Sequence, residues 1–173
     1  MTAGPPRILV VGIGNPDRGD DGIGPRIAEL LRDAVPPGVT VMCRSGDALA
    51  LLQDWAGFDA VILVDAAAPA GQPGRVHRVD LAVEPLPRDL GLASTHAFGI
   101  AEAIALAAQL KSLPPRLVIY AVEAAAFTAG AGLSPAVAAA ATAEGVATRI
   151  LAEIAGWRGG IDSGAELFQN AGG

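Results

Sequence analysis

Short apolar runs at 8–11, 39–43, 60–64, 76–79 and 117–122 alternate with stretches near 23–34, 47–55, 98–110 and 135–154 in which apolar residues return every three to four positions. The runs predict strands and the periodic stretches predict one-faced helices. From Ile23, for example, Ile27, Leu30 and Leu31 follow at offsets of four, seven and eight. Alternation of this kind predicts a single α/β domain, a three-layer sandwich whose five-stranded, mostly parallel twisted sheet has helices on both faces. Val76-His77-Arg78-Val79 alternates apolar with polar, so it reads as an edge strand that turns His77 to solvent. Pro85, Pro87 and mixed charges make 82–92 an irregular loop over the sheet, and Ser134-Pro135 supplies a cap and an N1 proline for the last helix. Beyond Trp157 the pattern dissolves into Gly159-Gly160 and Gly172-Gly173, which sets a domain at 1–156 and a loose tail at 157–173.

The junction between the first strand and the first helix is the most informative stretch. Gly12 and Gly14 follow the apolar run at 8–11, and Asp20 and Asp21 stand at the helix entrance. Glycines after a strand also suggest a dinucleotide turn. Asp17 stands where the third glycine of that fingerprint belongs, and neighbouring carboxylates repel a phosphate. Asp20 keeps two readings, a helix cap or a proton acceptor beside a reactive site.

Composition narrows the function classes. The 173 residues suffice for one core without staples, and 51% hydrophobic against 4% aromatic residues predicts aliphatic strands packed on alanine-rich helices. Cys43 is the sole cysteine, which excludes an internal disulfide and an all-cysteine metal cage, fits a reducing cytoplasm, and reads as a small strand hydrophobe. A net charge of −6 with a single lysine, Lys111, argues against nucleic acid and favours cationic ligands. Asp65, Glu123 and Glu144 interrupt the longest apolar stretches, so no membrane span is expected, and the first residues do not read as a signal peptide.

Three residues combine into candidate chemistry. Asp65 ends the most apolar run, where a carboxylate loses hydration and calls for a charge partner, several donors or a metal. Asp21 leaves the first strand on the same edge of a parallel sheet, the edge where ligand crevices form. His96 follows Ser94 and Thr95, either of which caps a helix start, and the helix N-terminus favours the neutral imidazole of a metal ligand. Each has a plainer reading: Asp65 as a cap for Ala66, His96 as an ordinary surface or core histidine. Together they form an oxygen and nitrogen set suited to zinc or nickel with open positions. A metal there could polarise a scissile carbonyl or activate water, with Asp20 and Asp21 as the catalytic carboxylates.

Gly14-Asn15 with Gly19-Asp20-Asp21-Gly22-Ile23-Gly24, then Leu63-Val64-Asp65-Ala66, Ser94-Thr95-His96-Ala97-Phe98-Gly99 and Gly132-Leu133-Ser134-Pro135 occur in one order that resembles the hydrogenase maturation endopeptidases. The resemblance, running from about Arg7 to Ile154, implies a cytoplasmic protease that removes the C-terminal extension of a nickel–iron hydrogenase large-subunit precursor after nickel insertion. It places the family's three metal-contacting positions on Asp21, Asp65 and His96. Nickel would come with the substrate, zinc or another divalent ion could substitute in vitro, and the protein reads as a monomer. Many members carry glutamate at the position of Asp21, and a proline-glutamate segment where this chain has Val122-Glu123-Ala124. Two other functions stay open at this point: a non-catalytic checkpoint module that recognises a metal-loaded partner, and a nucleotide-binding regulator.

Overall fold

Successive side chains of a strand point to opposite faces of its sheet, and in the central strands of this molecule both faces are apolar. The computed structural model describes residues 4–92, 99–142 and 144–159. Strands β1 (Ile8–Ile13), β2 (Val39–Arg44), β3 (Ala60–Ala67), β4 (Val76–Asp80) and β5 (Arg116–Glu123) form one sheet in the order β2-β1-β3-β5-β4. β1 pairs in parallel with β2 and β3, and β3 with β5, while β4 closes the far edge antiparallel to β5. This is the doubly wound arrangement expected from the alternation, with the wet strand at an edge.

Ile8, Val10, Ile62, Val64, Val118 and Val122 face helices α1 (Ile23–Arg32), α4 (Pro135–Ala140) and α5 (Val146–Arg158). On the other face Leu9, Val11, Val61, Leu63, Leu117 and Ile119 pack against α2 (Ala48–Asp54) and α3 (Ile100–Leu110). α1 lies close upon the sheet because Gly12 and Gly24 meet at the end of β1. A side chain on Gly12 would overlap the Gly24 carbonyl, and one on Gly24 would overlap the backbone of Ile13 and the Val64 carbonyl.

Several elements differ from the sequence expectation. The alanine-rich stretch at 135–154 is two helices, because α4 ends in a turn where the Thr142 hydroxyl donates to the Ala139 carbonyl (2.8 Å) and Gly145 opens α5. At Gly145 a side chain would overlap the Ala140 carbonyl, so glycine permits the close return of the chain. α5 continues to Arg158 and buries Trp157 in the core, which carries the ordered domain past 156. Residues 160–173, most of the expected tail, lie outside the described residues. α3 starts at Ile100 on Gly99, whose N–H donates to the Glu102 carboxylate (2.8 Å), whereas the start expected at 98 and its caps Ser94 and Thr95 fall outside the described residues. Cys43 is exposed rather than packed, since β2 has only one neighbouring strand. His77 is half-buried on β4.

The face of the sheet behind β4 carries a polar staple. Glu153 of α5 accepts hydrogen bonds from Arg78 on β4 and from the Tyr120 hydroxyl on β5. Burial and the Glu153 carboxylate together push the Tyr120 hydroxyl well above its ordinary range. Among the described residues, no helix is long and apolar enough to cross a membrane.

Candidate active site

The sheet reverses its winding between β1 and β3: the chain leaves β1 for β2 on one side and then returns to β3 on the other. A crevice opens outside the strand carboxyl ends at such a switch point. The two acidic positions of greatest interest sit there. Asp65 is the sixth residue of β3, and Asp21 lies in a single-turn helix, Gly19–Gly22, that follows β1. Gly14, at φ +138°, makes the turn possible, since a side chain there would overlap the Asp21 carbonyl.

Asp65 is fully buried. Its Oδ1 accepts the N–H of Ala66 (2.8 Å), the capping contact of the plainer reading, but the strand runs on to Ala67. Its Oδ2 is buried with no hydrogen-bond partner among the described residues. Burial pushes the Asp65 carboxyl well above the ordinary range, the Ala66 N–H opposes this, and the charge of Asp21 adds to it. A buried carboxylate oxygen without a donor is costly. A cation shared with Asp21 would relieve both the desolvation and the repulsion.

Asp21 is 4% exposed. Its Oδ2 accepts the N–H of Asn15 (3.0 Å) and lies 3.7 Å from an Arg18 guanidinium nitrogen. No described residue bonds to its Oδ1. Asn15 shapes the approach by accepting the N–H of Asp17 at its own side-chain oxygen (2.9 Å), as an Asn-Pro turn start favours.

Asp20 does something else. It neither caps α1, whose N-cap is Gly22, nor presents an unengaged carboxylate to the crevice. Its Oδ2 accepts the N–H groups of Ala125 (2.7 Å) and Ala126 (3.2 Å) and the Ser134 hydroxyl (3.0 Å), and its Oδ1 accepts the N–H of Ser134 (2.6 Å). Burial raises the Asp20 carboxyl, but these four donors together outweigh it and hold the group below the usual carboxylate range. That makes Asp20 a weak proton acceptor. The same contacts occupy Ser134, which starts α4 without a side-chain cap bond.

His96 lies outside the described residues. Among the described residues no group of three acids, histidines or cysteines forms a cation site, so the structure brings together the pair Asp21 and Asp65. Sequence reasoning missed Arg18, which stands three residues before Asp21, pairs with it and lies over the Phe127 ring at 5.9 Å. It also missed Glu123, which accepts the N–H groups of Ala70 (2.8 Å) and Gln72 (2.6 Å). These donors, led by Gln72, hold Glu123 below its ordinary range. Ala67, two residues past Asp65 on the same sheet face, lines a cavity of about 480 Å³ with Ala68, His77, Asp89, Leu90 and Glu123. On the opposite face a groove of about 400 Å³ runs past Gly19, Gly22 and Leu133. Each cavity is lined by residues close in sequence to one of the two acids, and neither by Asp21 or Asp65 itself.

Fold and site together define a doubly wound α/β protein with a buried acidic pair at its switch point. The family model described as hydrogenase maturation protease matches residues 25–152, a span that begins just past Asp21 and includes Asp65 and His96. The chain belongs to the hydrogenase maturation protease family. It is similar to the hydrogenase expression/formation protein HupM of Azotobacter chroococcum mcd 1, 33% identical over 127 residues, 71% of this chain and 60% of that protein. HoxM of Azotobacter vinelandii is 34% identical over 127 residues, 71% of this chain and 59% of its own length. The chain thus spans about 60% of the length of these relatives. The hydrogenase maturating endopeptidase HybD from E. coli superposes with a TM-score of 0.65 at 26% identity, over 84% of this chain and 90% of that one.

Proposed function

We propose that this protein is an endopeptidase that removes the C-terminal extension of a nickel–iron hydrogenase large-subunit precursor once nickel has been inserted. The observation that carries the reading is the buried Oδ2 of Asp65, without a hydrogen-bond partner among the described residues, beside Asp21 at the switch point of a chain from this family. Nickel is part of the substrate. Asp21 and Asp65 meet it with carboxylate oxygens, and His96 supplies the third contact; zinc or another divalent ion takes its place in vitro. The precursor chain lies across the strand ends. Hydrolysis breaks the peptide C–N bond, placing a water oxygen on the carbonyl carbon and a proton on the departing amine. Asp21 is the better placed proton acceptor, because among the described residues its carboxylate accepts one N–H whereas Asp20 is bound by four donors. The bound ion supplies polarisation of the carbonyl or the water. The protein works in the cytoplasm as a monomer.

The test is incubation with nickel-loaded and nickel-free precursor, read by the mass of the large subunit. Wild-type protein shortens the loaded form and leaves the nickel-free form intact. Asp65→Ala and His96→Ala fold normally and leave both intact. Equal cleavage of the two precursors removes nickel recognition, and full activity of both variants removes the site. A checkpoint module would bind the loaded precursor and never shorten it.

A further inference from the structure

The four donors on Asp20 come from a segment 105 to 114 residues further along the chain. The surrounding backbone repeats the connection: Asp20 N–H donates to the Ala126 carbonyl (3.1 Å), Gly19 N–H to the Ala131 carbonyl (3.0 Å), and Gly130 N–H to the Asp17 carbonyl (2.8 Å). Arg18 pairs with Ala129 in an antiparallel bridge and lies over Phe127. The segment 124–134 has no regular helix or strand of its own, so its position is set by these contacts with the turn that carries Asp21. Leu133, at its end, lines the groove beside Gly19 and Gly22.

Resting on the reading of the protein as a maturation protease, we infer that Asp20 is a positioning residue: its carboxylate locks the 124–134 segment against the Asp21 turn and thereby fixes the wall along which the precursor chain is seated. Asp20 touches neither the cation nor the scissile bond. It acts through Ala125, Ala126 and Ser134, and through the Arg18 that their segment holds beside Asp21. An acid is suited to this because an acceptor-only group satisfies four donors at once. In an asparagine the amide NH₂ faces a donor, and one side of the lock is lost.

The experiment compares wild type, Asp20→Asn and Ser134→Ala by amide hydrogen exchange and by steady-state processing of nickel-loaded precursor. Asp20→Asn loses protection at the Ala125, Ala126 and Ser134 amides by about tenfold or more, the scale of one charge-assisted hydrogen bond, while amides of β1, β3 and β5 keep theirs. Its KM for the precursor rises by a similar factor and kcat falls less. Ser134→Ala removes one of the four bonds and moves both readouts the same way by a smaller amount, which serves if Asp20→Asn does not fold. Unchanged protection in both variants overturns the lock. Lost protection with an unchanged KM overturns its role in seating substrate. Retained protection with kcat abolished makes Asp20 the proton acceptor and also overturns the inference. If wild type processes no precursor, the protease reading fails, and the exchange data still decide whether the lock exists.

Discussion

At the scale of single residues, two buried acids in one cleft are balanced in opposite ways. Among the described residues Asp20 meets four donors and is held as an anion, whereas Asp65 meets one and is held toward its protonated form. Asp65 is thus retained against stability, a pattern common where function needs an unsatisfied group. Above its ordinary value of 3.8 the unfolded chain ionises Asp65 freely while the folded chain resists, so this residue lowers stability as pH rises from there. Asp65→Asn removes the titration and keeps an oxygen for the Ala66 N–H. Thermal unfolding at pH 7 should show the variant more stable than wild type by about 1 kcal/mol, a few degrees in midpoint, with the gain vanishing near pH 3. Its processing activity should be absent. A less stable variant at pH 7 would mean that Asp65 is already satisfied.

At the scale of elements, the position of α1 decides whether the site exists. The helix begins within contact distance of two strand ends only because residues 12 and 24 lack side chains. Gly24→Ala forces a methyl group against the backbone of Ile13 and the Val64 carbonyl, so α1 and the preceding turn must move off the sheet. Overpacking of this kind costs about 3 kcal/mol, measurable by urea unfolding, and processing should fall further than the loss of folded protein explains. Most of these elements were legible in the chain. The strands at β1, β3 and β5 read clearly because their apolar runs are buried on both faces, and β4 read as an edge from its alternation. What escaped were features decided by contacts distant in sequence. Asp20 and Ser134 have the residue types and positions of helix caps, and nothing nearby indicates that they bond to each other instead. The break between α4 and α5 had one local signal, Gly145, overridden by the run of alanines. Asp21 and Asp65 were legible because strand ends in a parallel sheet converge on one edge, an argument that needs only topology.

For the molecule as a whole, the acid response sums these local balances. Asp20 and Glu123 both lie below their ordinary values of 3.8 and 4.5, so each contributes stability above those values that is lost as pH falls through the depressed ones. Asp65 opposes them, because taking up a proton favours its folded form. Urea unfolding at stepped pH should therefore show wild-type stability declining below about pH 4, while the advantage of Asp65→Asn over wild type closes as pH falls from 7 toward that value, since Asp65 gains its opposing stability above 3.8. An advantage that stays constant between pH 7 and 4 would mean that Asp65 does not oppose the other two acids.

The long reach of the Asp20 contacts also sets an order in time. A ribosome delivers the chain from its first residue, and β1, β2 and β3, with Asp21 after the first of them and Asp65 in the last, have all been made once residue 67 is added. The partners of Asp20 arrive only with residues 125 to 134, and closing so long a loop has an entropic cost that local pairing does not. During synthesis the acidic pair is therefore assembled before its wall. Completion of that wall then reports that translation has passed residue 134, and a nascent chain stalled earlier has both carboxylates without the segment that packs beside them.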